Sequence, residues 1–127
     1  MSRVRHADRW RWGWLAPIAL LVSLAGSRAA RADGPEAQRA AARELGTSGM
    51  EAYFDQDYAQ AADKLDRAYR LYPTPTLGLW SARALIQFGQ WVRAAERLRE
   101  AQFASVAIGD SDAQRQAQAD AANELTA

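Results

Sequence analysis

The sequence predicts an all-α fold, in which tandem antiparallel helical hairpins form an α-solenoid with a capping helix at its C-terminal end. Residues 49–68 match residues 82–101, and a repeat with this spacing is typical of stacked helical units. Apolar residues recur every three or four positions, as on one face of an α-helix. Prolines and glycines separate these periodic stretches, and no stretch alternates in the way that a half-buried strand does.

The repeat pairs side chains of similar size and character in its two copies. Glycine inside a helix costs about 1 kcal/mol relative to alanine, so we expect small residues at these places to let neighbouring helices approach closely. We also expect Ala61 and Ala94 to serve the same contacts from the second helix of each hairpin. The alignment of the two copies lays Gly49 on Ala82, Ala52 on Leu85, Tyr58 on Trp91, Ala61 on Ala94, Leu65 on Leu98 and Ala68 on Ala101.

The first predicted hairpin consists of two helices. Pro35 suits the first turn of a helix, where its missing N–H costs nothing, and the helical pattern then runs to about Phe54. Asp57 can cap the second helix, which ends before Pro73. The apolar face of that helix consists of Tyr58, Ala61, Ala62, Leu65, Ala68, Tyr69 and Tyr72.

The polar side of the second helix carries two pairs of opposite charge, Asp63 with Arg67 and Asp66 with Arg70. Pairs with this i,i+4 spacing contribute only about 0.2–0.5 kcal/mol each. We therefore expect packing to hold the helix. The aromatic residue after each turn, Tyr58 or Trp91, is expected to enter the crevice that the small residues leave open.

The second hairpin repeats the first. Thr74 and Pro75 predict the N-cap and the first residue of a third helix, which runs to Phe88 and is ended by Gly89. The fourth helix begins at Trp91, repeats the pattern of the second and fades near residues 108–109.

A fifth, capping helix is predicted over residues 111–127. The stretch from Ser111 to Gln114 matches a capping box, and one side of the helix presents Ala113, Ala117, Ala121 and Leu125. This face has little apolar bulk, as is typical of a helix that seals a stack and keeps its outer side wet. No helix-ending residue follows, so we expect that the natural protein continues beyond residue 127.

Residues 1–32 predict a secretory signal peptide. Four arginines precede a short apolar run at 15–25, and the small-x-small sequence 30–32 precedes Asp33. The expected cleavage site lies between Ala32 and Asp33. The alternative is an uncleaved membrane anchor, although a helix that crosses a bilayer needs about 20 residues. With either outcome the basic end stays in the cytoplasm, so we expect a periplasmic or secreted protein of the bacterial cell envelope.

The repeated residues resemble the tetratricopeptide repeat, a helix-turn-helix unit of about 34 residues. The resemblance rests on Gly49, Tyr58, Ala61, Leu65, Ala68 and Pro73 in a unit at about 42–74, and on Ala82, Gly89, Trp91, Ala94, Leu98 and Ala101 in a unit at about 75–106. Both units fall within a repeat domain predicted over residues 33–110. The sequence departs from the family pattern at Gln56, where the family favours glycine, and at Val106, where it favours proline.

The resemblance also implies a binding surface, because the first helix of each unit lines the concave face in this family. For three of its residues, Tyr53, Phe54 and Ile86, a place in the core between helices is equally open. The subgroup that grips acidic chaperone tails uses a lysine and two asparagines, and those places hold Gly46, Met50 and Trp80 here. The implied partner-binding groove residues are Arg43, Met50, Tyr53, Phe54, Leu79, Arg83, Ile86 and Gln87.

Composition argues against catalysis. The chain has no cysteine and its only histidine, His6, lies in the predicted signal peptide, so Cys–His pairs, Ser–His–Asp triads and the usual zinc sites cannot be built in the body. Asp55 and Asp57 are expected to serve a helix start. The sequence 46–49 resembles a phosphate loop but lacks its lysine. We therefore predict no enzyme activity, no catalytic residue, no cofactor and no metal.

The body of the chain is mildly acidic. From residue 33 onward it carries 10 Lys and Arg against 14 Asp and Glu, a net charge of −4. Proteins that bind nucleic acid present a basic patch or stripe, so we expect no nucleic acid partner. The membrane is expected to be a partner only through an uncleaved N-terminal segment.

These observations together predict a protein–protein interaction module that binds a peptide or helix of another protein in its concave groove. Two alternatives stay open: a membrane-anchored assembly or chaperone-like factor, and an accessory segment of a larger envelope protein. Two units are fewer than the three or so that such stacks usually need. Either the long first helix and the fifth helix supply the missing cover, or the chain self-associates through an exposed end, and both stay open.

Overall fold

The computed structural model describes residues 34–107 and 109–127. The predicted signal peptide and its cleavage site at Ala32 and Asp33 lie outside these residues. Five α-helices and no strand occur in the described part of the chain, which confirms the all-α prediction there. The helices are α1 (Pro35–Phe54), α2 (Tyr58–Leu71), α3 (Pro75–Gln87), α4 (Trp91–Phe103) and α5 (Ser111–Thr126).

The helices pack mainly against their neighbours in the chain. Tight turns join α1 to α2 and α3 to α4, and each of these two pairs packs together as a hairpin. The hairpins meet through α2 and α3, while α5 packs on both helices of the second hairpin. The helices therefore form a layered stack, in which α5 covers the end that α3 and α4 would otherwise leave open.

Two helix starts have the caps that the sequence predicts. The carboxylate of Asp57 accepts a hydrogen bond from the backbone N–H of Gln60 at 3.2 Å, and the hydroxyl of Thr74 accepts one from the N–H of Leu77 at 3.3 Å. Such caps satisfy backbone donors that have no partner within the helix. Pro75 follows Thr74 in the first turn of α3, as its fixed φ favours.

The core consists largely of alanine, and this lets the helices lie close together. Gly49 and Ala61 are buried where α1 meets α2. A Cβ atom at Gly49 would lie 2.7 Å from Cγ of Leu65, so glycine is required for this approach. One core cluster contains Ala52, Ala61, Ala62, Leu65, Ala84, Leu85 and Ala94, and the other contains Leu79, Ala82, Leu98, Ala101, Ala117 and Ala121.

The structure corrects the sequence prediction after the second hairpin. Helix α4 ends at Phe103, several residues before the predicted end, because Ala104 adopts an extended backbone with φ −63° and ψ 144°. The predicted capping box is also wrong. Ser111 is already helical, and the side-chain oxygen of Gln114 accepts instead from the backbone N–H of Ala107 at 2.6 Å. That bond ties the chain segment before α5 to the helix itself.

Helix α5 presents a slightly different face to the stack from the one predicted. Gln114, Ala117 and Ala121 are buried, whereas Ala113 is exposed. The inner face is therefore small enough to sit close to α3 and α4. None of the described helices has both the length and the apolar character that crossing a bilayer would require.

Candidate partner-binding groove

One face of α1, the start of α3 and the start of α5 enclose an open cavity of about 430 Å³. At the floor, α1 and α3 meet where a Cβ atom at Gly46 would lie 2.9 Å from Cδ2 of Leu77, the end of a flexible side chain. The wall combines charged, hydroxyl and apolar groups. Its side chains include Arg39, Ala42, Arg43, Thr47, Met50, Tyr72, Thr74, Leu77, Asp110 and Gln114.

Two of the predicted groove residues, Arg43 and Met50, line this cavity. Arg43 is exposed, while Met50 is half-buried and packs against the first core cluster. Arg39 was not predicted, although it lies one helical turn before Arg43 on the same face of α1. Its guanidinium carbon lies 5.0 Å from the centre of the Tyr72 ring, a geometry that favours attraction between the cation and the ring.

Beside the cavity, four aromatic rings cluster where α1 ends. The ring of Tyr53 lies 5.8 Å from that of Phe54, 5.5 Å from that of Tyr58 and 5.4 Å from that of Trp80. All of these pairs are edge-to-face, the arrangement that ring quadrupoles prefer. Phe54 is 66% exposed, and its ring lies 5.8 Å from that of Trp80. Phe54 therefore presents an open apolar ring, and the half-buried rings of Tyr53, Tyr58 and Trp80 support it.

Trp80 belongs to the aromatic cluster, although it is absent from the implied groove residues. In the repeat register it corresponds to Thr47, so only one of the two units carries an aromatic side chain there. A comparison of repeats identifies positions at which both units carry similar residues. Trp80 and Thr47 differ, so the comparison does not select Trp80. The family resemblance does include the neighbouring Tyr53 and Phe54 among the implied groove residues.

Arg83 lies at the far side of the cluster and is engaged within the chain. Its Nε and Nη2 atoms donate to Oε1 of Glu124 on α5 at 2.9 and 2.6 Å, and Nη2 lies 3.9 Å from Oδ2 of Asp120. Its guanidinium also stacks on the Trp80 ring at 5.0 Å. Arg83 thus joins α5 to the groove wall and has its charge balanced there.

The remaining predicted residues of α3 differ in their accessibility. Leu79 is only 3% exposed and belongs to the second core cluster, so the structure places it inside the stack and away from the groove surface. Ile86 is half-buried against the first core cluster, and Gln87 is exposed at the end of α3. Trp91, which was expected to fill a crevice, is 65% exposed.

A second polar cluster, which the sequence reasoning also missed, lies between α2 and α4. The carboxylate of Asp66 is buried and forms ion pairs with Arg70 at 2.5 Å, with Arg93 at 3.4 Å and with Arg97. The i,i+4 spacing predicted the Arg70 pair, but an aspartate beside Leu65 gave no sign that it would be buried. The cluster connects the two hairpins on the side of α2 and α4.

Arg97 also stacks on the ring of Tyr69, with its guanidinium carbon 4.2 Å from the ring centre. Burial raises the pKa of the Tyr69 phenol, and the negative charge of Glu100 raises it further, while the charge and hydrogen bond of Arg97 oppose the shift. Tyr69 faces the core between the hairpins, and we assign these groups a structural role.

No group of three or more metal-ligating side chains occurs within residues 34–107 and 109–127. The chain matches no known protein family, no curated protein and no solved structure. The groove must therefore be interpreted from its own geometry and chemistry.

Proposed function

We propose that the chain is a non-enzymatic binding module built from two tetratricopeptide-like units, which holds a peptide or helix of another protein in the groove formed by α1, α3 and α5. The single observation that carries the proposal is the aromatic cluster beside the open cavity, in which Phe54 is exposed and Tyr53, Tyr58 and Trp80 are half-buried. Large exposed apolar patches on globular proteins often mark interaction sites. Tyr, Trp, Phe, Met and Arg are the residue types enriched in protein interfaces.

Three structural features support the assignment to a tetratricopeptide-like repeat. The two hairpins follow each other in the same register that aligns residues 49–68 with residues 82–101. Small residues at Gly49, Ala61, Ala82 and Ala94 are buried. Helix α5 packs on α3 and α4, as a cap would have to do in order to cover a short stack.

The cellular localisation of the protein is part of the same proposal. The basic N-terminal segment, the short apolar run and the small residues before Asp33 support export to the periplasm or the medium. The partner would then be another protein of the cell envelope. Determination of the mature N-terminus by mass spectrometry tests this step, and a chain that retains Met1 in the isolated protein would favour the membrane-anchored alternative.

Site-specific photo-crosslinking in intact cells tests the groove as the binding site. A photoreactive amino acid replaces Thr47, an exposed residue of the cavity wall, or Arg99, an exposed residue of α4. We expect a crosslinked partner from position 47 and none from position 99. Introduction of Phe54→Ser in the position 47 chain should reduce the crosslink, because it removes the most exposed ring of the aromatic cluster. Equal crosslinking from both positions would contradict the groove assignment.

A further inference from the structure

We infer that the segment bound in the groove is an acidic, extended stretch of another protein, which places one carboxylate side chain beside Arg39 and Arg43 and an apolar side chain on the aromatic cluster. This inference rests on the proposed function and specifies the chemistry of the partner. The two contact points lie at opposite ends of the groove face of α1.

In the described part of the chain, the cavity end of the groove carries two arginines without carboxylate partners. Arg39 and Arg43 both line it, and within the described residues neither of them has a carboxylate at ion-pair distance. Arg83, by contrast, is balanced by Glu124 at 2.6 Å. The cavity end of the groove therefore carries excess positive charge, and a complementary carboxylate would gain hydrogen bonds to two guanidinium groups.

The excess positive charge of the cavity wall is small. Asp110 also lines the cavity, so the two arginines and this carboxylate together leave one positive charge. A single acidic side chain neutralises it. A polyanion such as nucleic acid fits poorly, because the body of the chain has a net charge of −4 and would repel it beyond this one site. The apolar side chains of Met50 and Leu77 in the same wall favour a peptide as well.

The distance between the two contact points sets the spacing of the bound side chains. Arg43 and Phe54 lie three helical turns apart on α1, and the helical rise separates them by about 16 Å along the helix axis. An extended peptide covers about 3.3 Å per residue. The geometry therefore points to an acidic residue and an apolar or aromatic residue about five positions apart in the bound segment.

Selection from a random peptide display library on the chain tests this chemistry without knowledge of the natural partner. We expect the selected peptides to be enriched in Asp or Glu about five positions from Leu, Ile or an aromatic residue. Selection on Arg43→Glu should lose the acidic preference. Selection on Arg99→Glu, which makes the same charge change on the exposed face of α4, should keep it.

Affinity measurements on one selected peptide give the sharper result. Replacement of its acidic residue by the neutral amide should weaken binding about tenfold, as expected for the loss of hydrogen bonds to charged groups, and Arg43→Gln should have a similar effect. Asp110→Asn should strengthen binding about twofold or more, because it removes from the cavity wall a negative charge that repels the acidic residue of the peptide. Amidation of the peptide's C-terminus should change nothing.

The outcomes separate this inference from the proposed function. Peptides selected without acidic enrichment, or bound equally well as acid and amide, would overturn the charge assignment and leave groove binding intact. The absence of any selected peptide would overturn the idea that a short acidic segment is sufficient, while crosslinking of the intact partner at position 47 would still uphold the groove. Loss of binding on C-terminal amidation would replace the internal acidic residue by a chain end. Circular dichroism of each variant shows that the fold is retained.

Discussion

Gln56 and Gly89 occupy equivalent positions in the turns of the two hairpins, and both have left-handed backbone geometry, with φ of 63° and 80°. The hydrogen bonds around them also correspond. In the first turn the N–H of Asp57 donates to the carbonyl oxygen of Ala52 at 2.9 Å, and the corresponding bond of the second turn measures 2.8 Å. Helices commonly end in this way, usually with glycine at the left-handed position.

Replacement of Gln56 by glycine should therefore stabilise the protein. A side chain in the left-handed region costs about 1–2 kcal/mol, part of which is offset by the greater freedom of glycine in the unfolded chain. We expect Gln56→Gly to raise the free energy of unfolding by about 0.5–1 kcal/mol in a urea titration. Gly89→Ala is the matched opposite change and should lower it by about 1 kcal/mol, because alanine disfavours the left-handed backbone at φ 80°. No steric clash contributes, since the added Cβ would meet no atom within 4 Å. A neutral Gln56→Gly variant would show that the turn is not strained.

The sequence carries enough information for the helices and the close contacts because both depend on local patterns. Proline and glycine positions indicate where helices start and end, and glycine in mid-helix at Gly49 indicates a near neighbour. The end of α4 was predicted too late because no proline or glycine stands where Ala104 leaves the helix. That break depends on how the following segment reaches α5, including the bond between Ala107 and Gln114, and this is a tertiary effect.

The groove was predictable only in part. A family resemblance selects residues by their position in the repeat unit, and it included Arg43 and Phe54 among the implied groove residues, with a core position equally open for Phe54. It also selected Leu79, which the packing of α5 on α3 buries in the core. It passed over Trp80 and Arg39, whose roles depend on ring contacts and on the Tyr72 side chain across the cavity. Contacts between elements distant in sequence set these roles, and a periodic pattern does not contain them.

The contact between Gly49 and Leu65 predicts that α1 and α2 tolerate no added atom. A methyl group at Gly49 would lie 2.7 Å from Cγ of Leu65 and 3.2 Å from its backbone nitrogen, and Leu65 is fully buried. Gly49→Ala should stabilise the helix by about 1 kcal/mol, because alanine has the higher helix propensity. Overpacking of the contact with Leu65 should destabilise the folded protein by about 1–3 kcal/mol. We expect a net loss of up to about 2 kcal/mol in thermal or urea unfolding. Increased stability of Gly49→Ala would mean that the helices can move apart freely.

In the Asp66 cluster, loss of the shared carboxylate should reduce the stability of the protein more than loss of one arginine does. Asp66→Asn leaves three guanidinium groups without their shared carboxylate, and breaking a buried pair by removal of one partner costs about 3–5 kcal/mol. We expect about 2–3 kcal/mol here, because Arg70 and Arg93 are more than half exposed and can turn to water. Arg93→Gln is the control and should cost less than about 1 kcal/mol. Equal losses in the two variants would show that the buried carboxylate is not the centre of the cluster.

The raised pKa of Tyr69 predicts a loss of stability in base. Burial is the main cause of the shift, so the folded state favours the neutral phenol more than the unfolded chain does. The contribution of the phenol to stability is present below the ordinary tyrosine pKa of 10.0 and is lost as the pH rises through the higher folded-state pKa. In urea titrations between about pH 8 and 11, the free energy of unfolding of the unsubstituted protein should fall relative to that of Tyr69→Phe as the pH rises. A constant difference across this range would contradict the shift.

The ion pair between Arg83 and Glu124 predicts that α5 is held to the second hairpin by charge as well as by its thin apolar face. Arg83→Gln leaves Glu124 and Asp120 close together without a cation, and all three side chains are about one-third exposed or less. We expect amide hydrogen exchange over residues 111–126 to quicken by about tenfold, equivalent to about 1.4 kcal/mol of local stability. Arg115→Gln is the matched control, because its pair with Asp112 on the same helix is exposed and should matter little. A second variant, Arg83→Glu with Glu124→Arg, restores opposite charges and should recover part of the protection. Unchanged exchange in Arg83→Gln would mean that the small residues Ala117 and Ala121 hold α5 by packing alone, and that Arg83 is free to contact a ligand in the groove.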